Sequence, residues 1–520
     1  MHLDKICQVT NKPYTLPIEY LEFLKKVKEL NPLISVELPA TNIKPEVLMR
    51  QFSCFGNSIN LYKSNSAISS KSILSRYNPK DGLKVCSVDE FYSDEVDNIK
   101  SGRPYDFSRS FFEQWYELLN ASILLSAGML NVENCDYING AANCKNCYLC
   151  FSILGGLDCF YCYSLFEGTD CIDCCFSRKL TLCYSCSDCV NCYSCQNCTE
   201  CSTCDNCIAC FDCRSCHNCI GCWGLEQSTF CVFNQQLTKE AYLEFKKNLN
   251  LGSYEARTKL LNEFHAKSKT HIPNRIINSE AASGAYIKNS KNLINCYNTY
   301  DSQDCGYLVT GDKCTDCWMT LAVATTFSQL TTGYKAYNCH YGYMNYDSEN
   351  SFYSYQSMAG CSDTFGCVGL KKKSYCILNK QYSKKEYEDL VPRIVKHMDT
   401  TAEWGKYFPA RYAPNSYNDS WADELLTEID LAEAKRRGYK LSQNDSSKIS
   451  GKPTVFFDDI NQVNPDEVLK TPQTCQESKM QYLIQKKELD FYKSNSIPLP
   501  RLHWKLRLKK MFSCRVRMSE

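Results

Sequence analysis

The chain has 520 residues, and 59 Lys and Arg residues almost balance 58 Asp and Glu residues, for a formal net charge of +1. This balance excludes a globally basic nucleic-acid binder and a protein with a dominant acidic tail. Hydrophobic residues at 44 % and charged residues at 22 % are typical of folded domains, but 37 cysteines are not. Of these, 24 lie in the 97 positions from Cys135 to Cys231, which excludes a uniformly cysteine-rich scaffold.

The first residues, MHLDKICQVTNK, lack the apolar segment of a secretory signal. The longest apolar stretch, Ala121 to Leu130, is too short to cross a bilayer. We therefore expect no membrane association and a location in the cytoplasm or within a viral particle. In a reducing compartment, dense CxxC pairs indicate metal or redox chemistry before disulfides.

Residues 101–133 are predicted to contain a capping helix. Over Arg109–Leu125, apolar residues recur at helical spacing, at Phe111, Phe112, Trp115, Leu118, Leu119 and Ile123. Such a helix is positioned in the sequence to cover the first repeat, and repeat arrays need caps because open strand edges invite aggregation.

Residues 134–236 carry a cysteine repeat with a period of twelve. The first column is Cys135, Cys147, Cys159, Cys171, Cys183, Cys195, Cys207, Cys219 and Cys231. The second, three residues later, is Cys150, Cys162, Cys174, Cys186, Cys198, Cys210 and Cys222. We call these sixteen residues the thiol ladder. A fixed short period over nine copies predicts a β-solenoid whose coils bury one face against their neighbours.

The residues around the thiol ladder predict that it points inward. At the two remaining sub-period positions, cysteine alternates mainly with small or apolar residues, as expected of an interior. The residue before the first column is often Asn or Asp, which tolerates left-handed corners and can bond along a stack, as at Asn134, Asn146 and Asp158. The layout is similar to the twelve-residue coils of beetle antifreeze proteins, in fold only.

An internal duplication follows the first repeat. Gly221–Glu244 aligns without gaps on Gly366–Asp389, 145 residues later. Each copy is predicted to end a solenoid and begin a helix, with Thr238 as one N-cap and a capping box at the other, formed by Ser383 and Glu386. The predicted fold class is therefore mainly β, with two tandem twelve-residue β-solenoids and capping α-helices. The predicted segments are a helical cap or linker at 237–279, a diverged second solenoid at 280–381 and a helical cap at 382–440.

The C-terminal part is predicted to be a polar linker at 441–470 followed by a basic segment. Arg501–Arg517 contains seven Lys or Arg residues and no acid, with interleaved Trp504 and Phe512. This pattern fits contact with nucleic acid or an anionic surface, and it fits equally a solvated basic remnant.

At this point the chain resembles a family of cysteine-rich repeat proteins, frequent in ultra-small bacteria and occasional in giant viruses. The resemblance covers nearly the whole chain, and the matching stretches are residues 105–114 (YDFSRSFFEQ), 143–151 (NCKNCYLCF), 365–387 and 401–408 (TAEWGKYF). Some members are labelled CoA-transferases, but no residue here supports that activity.

The resemblance implies zinc ribbons at both ends, with paired CxxC knuckles, and the chain departs from this pattern. Thr10 occupies the partner position of Cys7, and Ser478 that of Cys475, while Cys54 and Cys86 are single. The later segment Pro500–Trp504 also lacks its pair. A structural zinc needs four N or S ligands. We therefore expect degenerate ribbons over 1–100 and 471–520, without metal.

Three interpretations of the thiol ladder stay open. Cysteine can serve as a small apolar core residue. Alternatively, CxxC pairs from neighbouring coils, such as Cys147 and Cys150 with Cys159 and Cys162, form four-thiolate zinc or iron–sulfur sites. Finally, thiols of one coil can form disulfides. Cys175 is out of phase, which makes it the best candidate for an exposed reactive thiol.

No P-loop, GxGxxG, GxSxG or HExxH motif is present, and His217 is expected to face solvent. The sequence therefore predicts a non-enzymatic structural or interaction protein, with protein partners or self-association, whose thiol ladder binds zinc or iron–sulfur clusters. The alternatives are an electron-transfer or metal-storage protein with a row of clusters, and a disulfide-stapled virion or surface component.

Overall fold

The computed structural model describes residues 2–163, 166–169, 172, 205–271, 276–307, 309–311, 326–329, 333–334, 336–339, 345–346, 349–357, 360–424, 426–443 and 456–513. These residues form two compact units. The first unit is built from Met1–Ala127 and Arg275–Ser442, and the second from Gly128–Asn274 and Gln443–Arg515. The predicted domain boundaries are finer than this division and stay predictions.

The helices within the described residues are short or of medium length. They are α1 (Ile18–Leu30), α2 (Pro45–Ser53), α3 (Val88–Tyr92), α4 (Phe111–Ala121), α5 (Lys239–Asn248), α6 (Tyr254–Ser268), α7 (Lys384–Thr400), α8 (Trp421–Glu424), α9 (Leu431–Arg436), α10 (Pro465–Lys470), α11 (Lys486–Ser494) and α12 (Trp504–Ser513).

The strands are mostly two to five residues long. They are β1 (His2–Ile6), β2 (Pro13–Pro17), β3 (Tyr62–Asn65), β4 (Ser72–Ser75), β5 (Lys84–Cys86), β6 (Ile123–Leu125), β7 (Met129–Glu133), β8 (Ala141–Lys145), β9 (Leu154–Leu157), β10 (Phe166–Thr169), β11 (Cys231–Val232), β12 (Gln235–Gln236), β13 (Ile276–Ile277), β14 (Glu280–Lys288), β15 (Lys291–Tyr300), β16 (Gln303–Gly306), β17 (Val309–Gly311), β18 (Thr326–Gln329), β19 (Gly333–Tyr334), β20 (Ala336–Cys339), β21 (Asn345–Tyr346), β22 (Glu349–Phe352), β23 (Ser362–Phe365), β24 (Ser374–Ile377), β25 (Lys380–Gln381), β26 (Gln473–Thr474) and β27 (Gln481–Tyr482).

In the first unit, α4 supplies much of a large aromatic core. Phe111, Trp115, Leu118 and Leu119 are fully buried, which confirms the predicted apolar face. The helix begins at Phe111 because Ser110 caps it. It ends at Ala121 rather than at the predicted Leu125, because Ile123–Leu125 form β6, which pairs with β5 in parallel.

The rest of the first unit contains two larger sheets. One has the order β13-β14-β15-β16, with β17 also paired to β15, and the other has the order β18-β20-β22-β23-β24-β25. Within the second sheet, β24 turns back antiparallel onto β25, and α7 follows. The predicted capping box at the start of α7 is confirmed, since Ser383 and Glu386 satisfy each other's backbone N–H groups.

In the second unit, the twelve-residue period is the register of parallel pairing. Met129 pairs with Ala141, Ala142 with Leu154, and Leu154 with Phe166. Farther along, single parallel bridges repeat the same offset, including Asp205 to His217 and Ile208 to Ile220. The short β11–β12 hairpin ends this stretch, and Thr238 caps α5 as predicted.

The predicted fold class, mainly β with two tandem twelve-residue β-solenoids, is wrong. Across the described part of the chain, helices contribute 32 % and strands 25 %, and no solenoid is detected there. The strands belong to many separate sheets, of which most have only two strands. One physical reason is that the twelve-residue period covers only one part of the chain. Within that part, a residue with positive φ occurs every three positions and interrupts the extended backbone, so that isolated bridges replace long strands.

Among the described residues, no helix is both long enough and apolar enough to cross a membrane.

Candidate functional site

The candidate site is the thiol ladder of the second unit. Ten of its cysteines lie within the described residues, namely Cys135, Cys147, Cys150, Cys159, Cys162, Cys207, Cys210, Cys219, Cys222 and Cys231. All of them are buried except Cys135, which is partly exposed. The other six, Cys171, Cys174, Cys183, Cys186, Cys195 and Cys198, lie outside the described residues, as does Cys175.

Left-handed corners place these side chains in the interior. Each described ladder cysteine follows a residue with positive φ, such as Asn134, Asn146 and Asp158 at 50°, 57° and 54°. Side-chain amides bond from one copy to the next, with Asn134 Nδ2 to Asn146 Oδ1 at 2.7 Å and Asn146 Nδ2 to Asp158 Oδ1 at 3.0 Å. Asn and Asp tolerate this conformation best, which agrees with the residues found there.

The same corner also occurs at residues whose type does not indicate it. Tyr137, Leu149 and Tyr161 have φ values of 55°, 53° and 57°. Large side chains rarely adopt this region, so their conformation reflects the pairing of the neighbouring copies. Sequence reasoning had only the spacing of three to detect them.

Every described ladder thiol contacts a backbone carbonyl. Each one donates to the oxygen of the residue two positions earlier, at 3.2–3.6 Å. Some reach a second oxygen nine residues ahead, as Cys150 does to Cys159 O at 3.3 Å and Cys207 to Cys216 O at 3.5 Å. Thiols are weak donors, and a carbonyl is a partner for S–H rather than for a thiolate.

The thiols also bond to one another. Cys207, Cys210, Cys219 and Cys222 form a closed ring, in which each sulfur lies within hydrogen-bond reach of two others of the four. Each S–H group therefore has a carbonyl oxygen and a neighbouring sulfur as alternative acceptors. Hydrogen bonds from Cys210 and Cys219 lower the pKa of Cys222 to about 4. Hydrogen bonds with Cys207 and further thiols raise the pKa of Cys210 and Cys219 well above the usual range. The ring therefore favours a single thiolate that is stabilised by neighbouring S–H groups.

A related arrangement surrounds Cys147, a predicted metal ligand, and Cys144, which is predicted to point inward but not to bind metal. Hydrogen bonds with Cys144, Cys150 and Cys159 raise the pKa of Cys147. For Cys150, burial raises the pKa, but hydrogen bonds from Cys147 and Cys162 outweigh it and bring the pKa to about 6.

The described side chains around the ladder are not arranged as a metal site. Within the described residues, no group of three or more His, Cys, Asp or Glu side chains is arranged to hold one. In the ring of four, Cys207, Cys210, Cys219 and Cys222 are each directed at a carbonyl oxygen as well as at other thiols. Binding of zinc or an iron–sulfur cluster by the ladder therefore stays a prediction, which depends also on cysteines outside the described residues.

At the predicted ribbon positions, backbone N–H groups reach the sulfurs of two buried cysteines. Cys7 and Cys475 are buried, and each thiol accepts backbone N–H groups, from Lys44 at 3.3 Å and from Ser478 at 3.4 Å. Burial raises the pKa of the Cys7 and Cys475 thiols, but hydrogen bonds outweigh it and lower the pKa of both, chiefly from the Lys44 N–H to Cys7 and from the Ser478 hydroxyl to Cys475. His503 is buried, and desolvation lowers its pKa to about 3.

Several basic residues of the predicted nucleic-acid segment are engaged within the second unit. Arg501 stacks on the Tyr254 ring, with its guanidinium carbon 3.9 Å from the ring centroid, and bonds to Asp458 at 3.3 Å. Lys510 pairs with Glu477. These ion pairs reduce the net positive charge that the segment Arg501–Arg517 presents to a polyanion.

His217, which lies outside this segment, is exposed, as predicted.

Comparison of the chain with protein-family models, with curated proteins and with solved structures finds no match.

Proposed function

We propose that the protein is a non-enzymatic structural or interaction protein, and that the thiol ladder is its core of hydrogen-bonded thiols. One observation carries the proposal: each of the ten described ladder cysteines directs its sulfur at the carbonyl oxygen two residues earlier, at 3.2–3.6 Å. This contact favours S–H over a thiolate, because both the carbonyl oxygen and a thiolate carry negative charge. Cys150 and Cys222 are the two exceptions, because neighbouring S–H groups lower their pKa.

The size of cysteine supports the same role. Cysteine is among the most frequently buried residues and behaves as a small apolar side chain with a weak donor. In a narrow interior that recurs every twelve residues, its S–H group gives each carbonyl oxygen a second partner. Alanine fills less of this space and offers no donor, which accounts for a column of cysteine without replacement.

A second candidate function is binding of a thiol-ligated metal, zinc or iron–sulfur, and the ring of four thiols favours it. The lowered pKa of Cys222 would supply one thiolate without the cost of ionising an isolated buried thiol. To hold the metal, Cys207, Cys210, Cys219 and Cys222 would have to turn away from their carbonyl partners, since they are not arranged for it in this structure. The metal would act as a structural ion or, in a cluster, as a carrier of electrons.

Two alanine variants separate the candidates. Cys207 and Cys213 are both fully buried and donate to carbonyl oxygens at 3.4 and 3.5 Å, but only Cys207 belongs to the predicted metal ligands. The full-length protein is purified without oxygen, and its zinc and iron contents are measured. We expect no stoichiometric metal and similar losses of about 1–3 kcal/mol in unfolding free energy for Cys207→Ala and Cys213→Ala.

The metal candidate makes the opposite prediction. Stoichiometric zinc or iron in the unsubstituted protein, lost in Cys207→Ala and retained in Cys213→Ala, contradicts the thiol-core proposal. The predicted partners, which are other proteins, further copies of the chain or nucleic acid bound to Arg501–Arg517, stay predictions.

A further inference from the structure

Three hairpin turns in the chain share one backbone pattern. In each, the first turn residue donates its N–H to the carbonyl of the sixth, and the fifth donates back to the carbonyl of the first. The turns are residues 7–12, 66–71 and 475–480, and these six bonds measure 2.8–3.1 Å. The fifth residue is left-handed in all three, with Asn11, Ser70 and Lys479 at φ values of 56°, 60° and 61°.

Each turn aims backbone N–H groups at the side chain of its first residue. Ser66 Oγ accepts the N–H groups of Ile68 and Ser69 at 3.1 and 3.3 Å. Cys475 Sγ accepts that of Ser478 at 3.4 Å, and the Cys7 thiol accepts those of the same turn. Successive N–H groups that converge in this way form a concave nest typical of anion and iron–sulfur sites.

Each turn is also hydrogen-bonded to the segment that precedes a helix. The second turn residue donates its N–H to a distant carbonyl, from Gln8 to Asn42, from Ala67 to Val85 and from Gln476 to Arg501, at 2.7–3.0 Å. In every case a helix begins three residues beyond that carbonyl, namely α2, α3 and α12. The three segments are therefore built on one hairpin-and-helix plan.

This plan has four corresponding positions: the first and fourth residues of the turn, the residue before the helix, and the third residue of the helix. Two pairs spaced by three residues, one in a hairpin and one at a helix start, supply the four ligands of many structural zinc sites. The residues found here are Cys7, Thr10, Lys44 and Val47 in the first, Ser66, Ser69, Ser87 and Glu90 in the second, and Cys475, Ser478, His503 and Leu506 in the third.

In the second copy the four positions bond to one another. Glu90 Oε2 accepts Ser66 Oγ at 2.6 Å and both the hydroxyl and the N–H of Ser87 at 2.9 Å. The Ser69 hydroxyl also bonds to this carboxylate. The bonds from Ser66 and Ser69 are the largest causes that lower the pKa of Glu90 to about 2. These hydrogen bonds join the hairpin to α3.

We propose that Ser66, Ser69, Ser87 and Glu90 occupy the four ligand positions of a zinc module, and that the Glu90 carboxylate, held by three serines, now performs the structural role of the metal. The carboxylate brings one charge and accepts hydrogen bonds from the serines at the three other positions, whereas a zinc ion would require deprotonated cysteine thiols there. The proposal is independent of the thiol-core function, since it concerns the first unit.

Restoring the ligands tests the geometry. In the full-length chain, Ser66→Cys, Ser69→Cys, Ser87→Cys and Glu90→Cys are combined, and Co²⁺ binding is titrated under reducing conditions. We expect one more equivalent of Co²⁺ than the unsubstituted chain binds, with the absorption bands of tetrahedral thiolate coordination. The matched control places the second cysteine at Ser70 instead of Ser69, which breaks the spacing of three, and it should bind no additional equivalent.

The titration is decisive whether or not the variant folds alone. A variant that is folded without metal and binds the extra equivalent supports the proposal, and so does a variant that folds only when Co²⁺ or Zn²⁺ is added. A folded variant without the extra equivalent, an equal gain in the Ser70 control, or a variant that stays unfolded with either metal overturns it.

Discussion

Glu488 is a fully buried carboxyl group in the second unit, and its ionisation should contribute a pH dependence to that unit's stability. Its oxygens accept hydrogen bonds from the hydroxyls of Tyr161 at 2.8 Å and Tyr492 at 2.9 Å, and from the N–H of Gln485 at 3.1 Å. Arg507 lies beyond Tyr492, to which it donates at 3.3 Å. Burial raises the pKa of Glu488 from 4.5 to about 6, although the Arg507 charge and these bonds oppose the shift.

The sign and size of the effect follow from this shift. The folded state holds the proton more tightly than the unfolded state, so the stabilisation is complete below pH 4.5 and is lost as pH rises through 6. A shift of about 1.5 pKa units corresponds to ~2 kcal/mol at ~1.36 kcal/mol per unit. Glu488→Gln keeps an amide oxygen as acceptor and removes the charge, so its advantage over the unsubstituted chain should grow by ~2 kcal/mol from pH 4.5 to 8.

Urea unfolding of both proteins across this pH range, followed by the fluorescence of the second unit, measures the difference. Glu467→Gln, at an exposed site in α10, is the matched control and should show no such growth. A constant difference between Glu488→Gln and the unsubstituted chain over the whole range refutes the reasoning.

Substitutions at three further sites test local features. Glu403→Ala removes the carboxylate that accepts the first N–H groups of α4 and should lower the free energy of unfolding, measured by chemical denaturation, by about 1–3 kcal/mol. Glu403→Gln keeps one acceptor oxygen and should recover part of this loss. Asn146→Ala should lower the free energy of unfolding by about 1 kcal/mol more than Asn146→Gly does. Both variants lose the side-chain bonds to Asn134 and Asp158, but only alanine is strained at φ 57°. Equal losses would contradict the role of the left-handed corner. Gly284→Ala should prevent the β14–β15 pairing, because its Cβ would lie 1.9 Å from Cys296 O, and an unchanged melting temperature would exclude this.

The sequence indicated features that recur at fixed spacing. The twelve-residue period proved to be the parallel register of the second unit, and the capping box of Ser383 and Glu386 is formed as predicted. The fold class was wrong, because periodicity reports only the periodic part of the chain, and twelve helices lie within the described residues.

Features that depend on distant residues escaped sequence reasoning. The bond between Tyr161 and Glu488 joins residues 327 positions apart, and no local pattern predicts it. The Glu90 cluster was missed because a search for zinc knuckles looks for cysteine, whereas the backbone of the turn is kept with serine at the ligand positions. In both cases the geometry comes from tertiary packing, which a single sequence does not reveal.

The S–H stretching band in the infrared spectrum of the intact reduced protein tests the thiol core most directly. Protonated thiols that donate to carbonyl oxygens give this band, displaced to lower frequency from that of thiols in an apolar solvent, and alanine substitution at Cys207 should reduce its area. We expect a displaced band that accounts for most of the ladder cysteines in protein without stoichiometric metal. A spectrum without the band, together with bound zinc or iron, would contradict a core of hydrogen-bonded thiols.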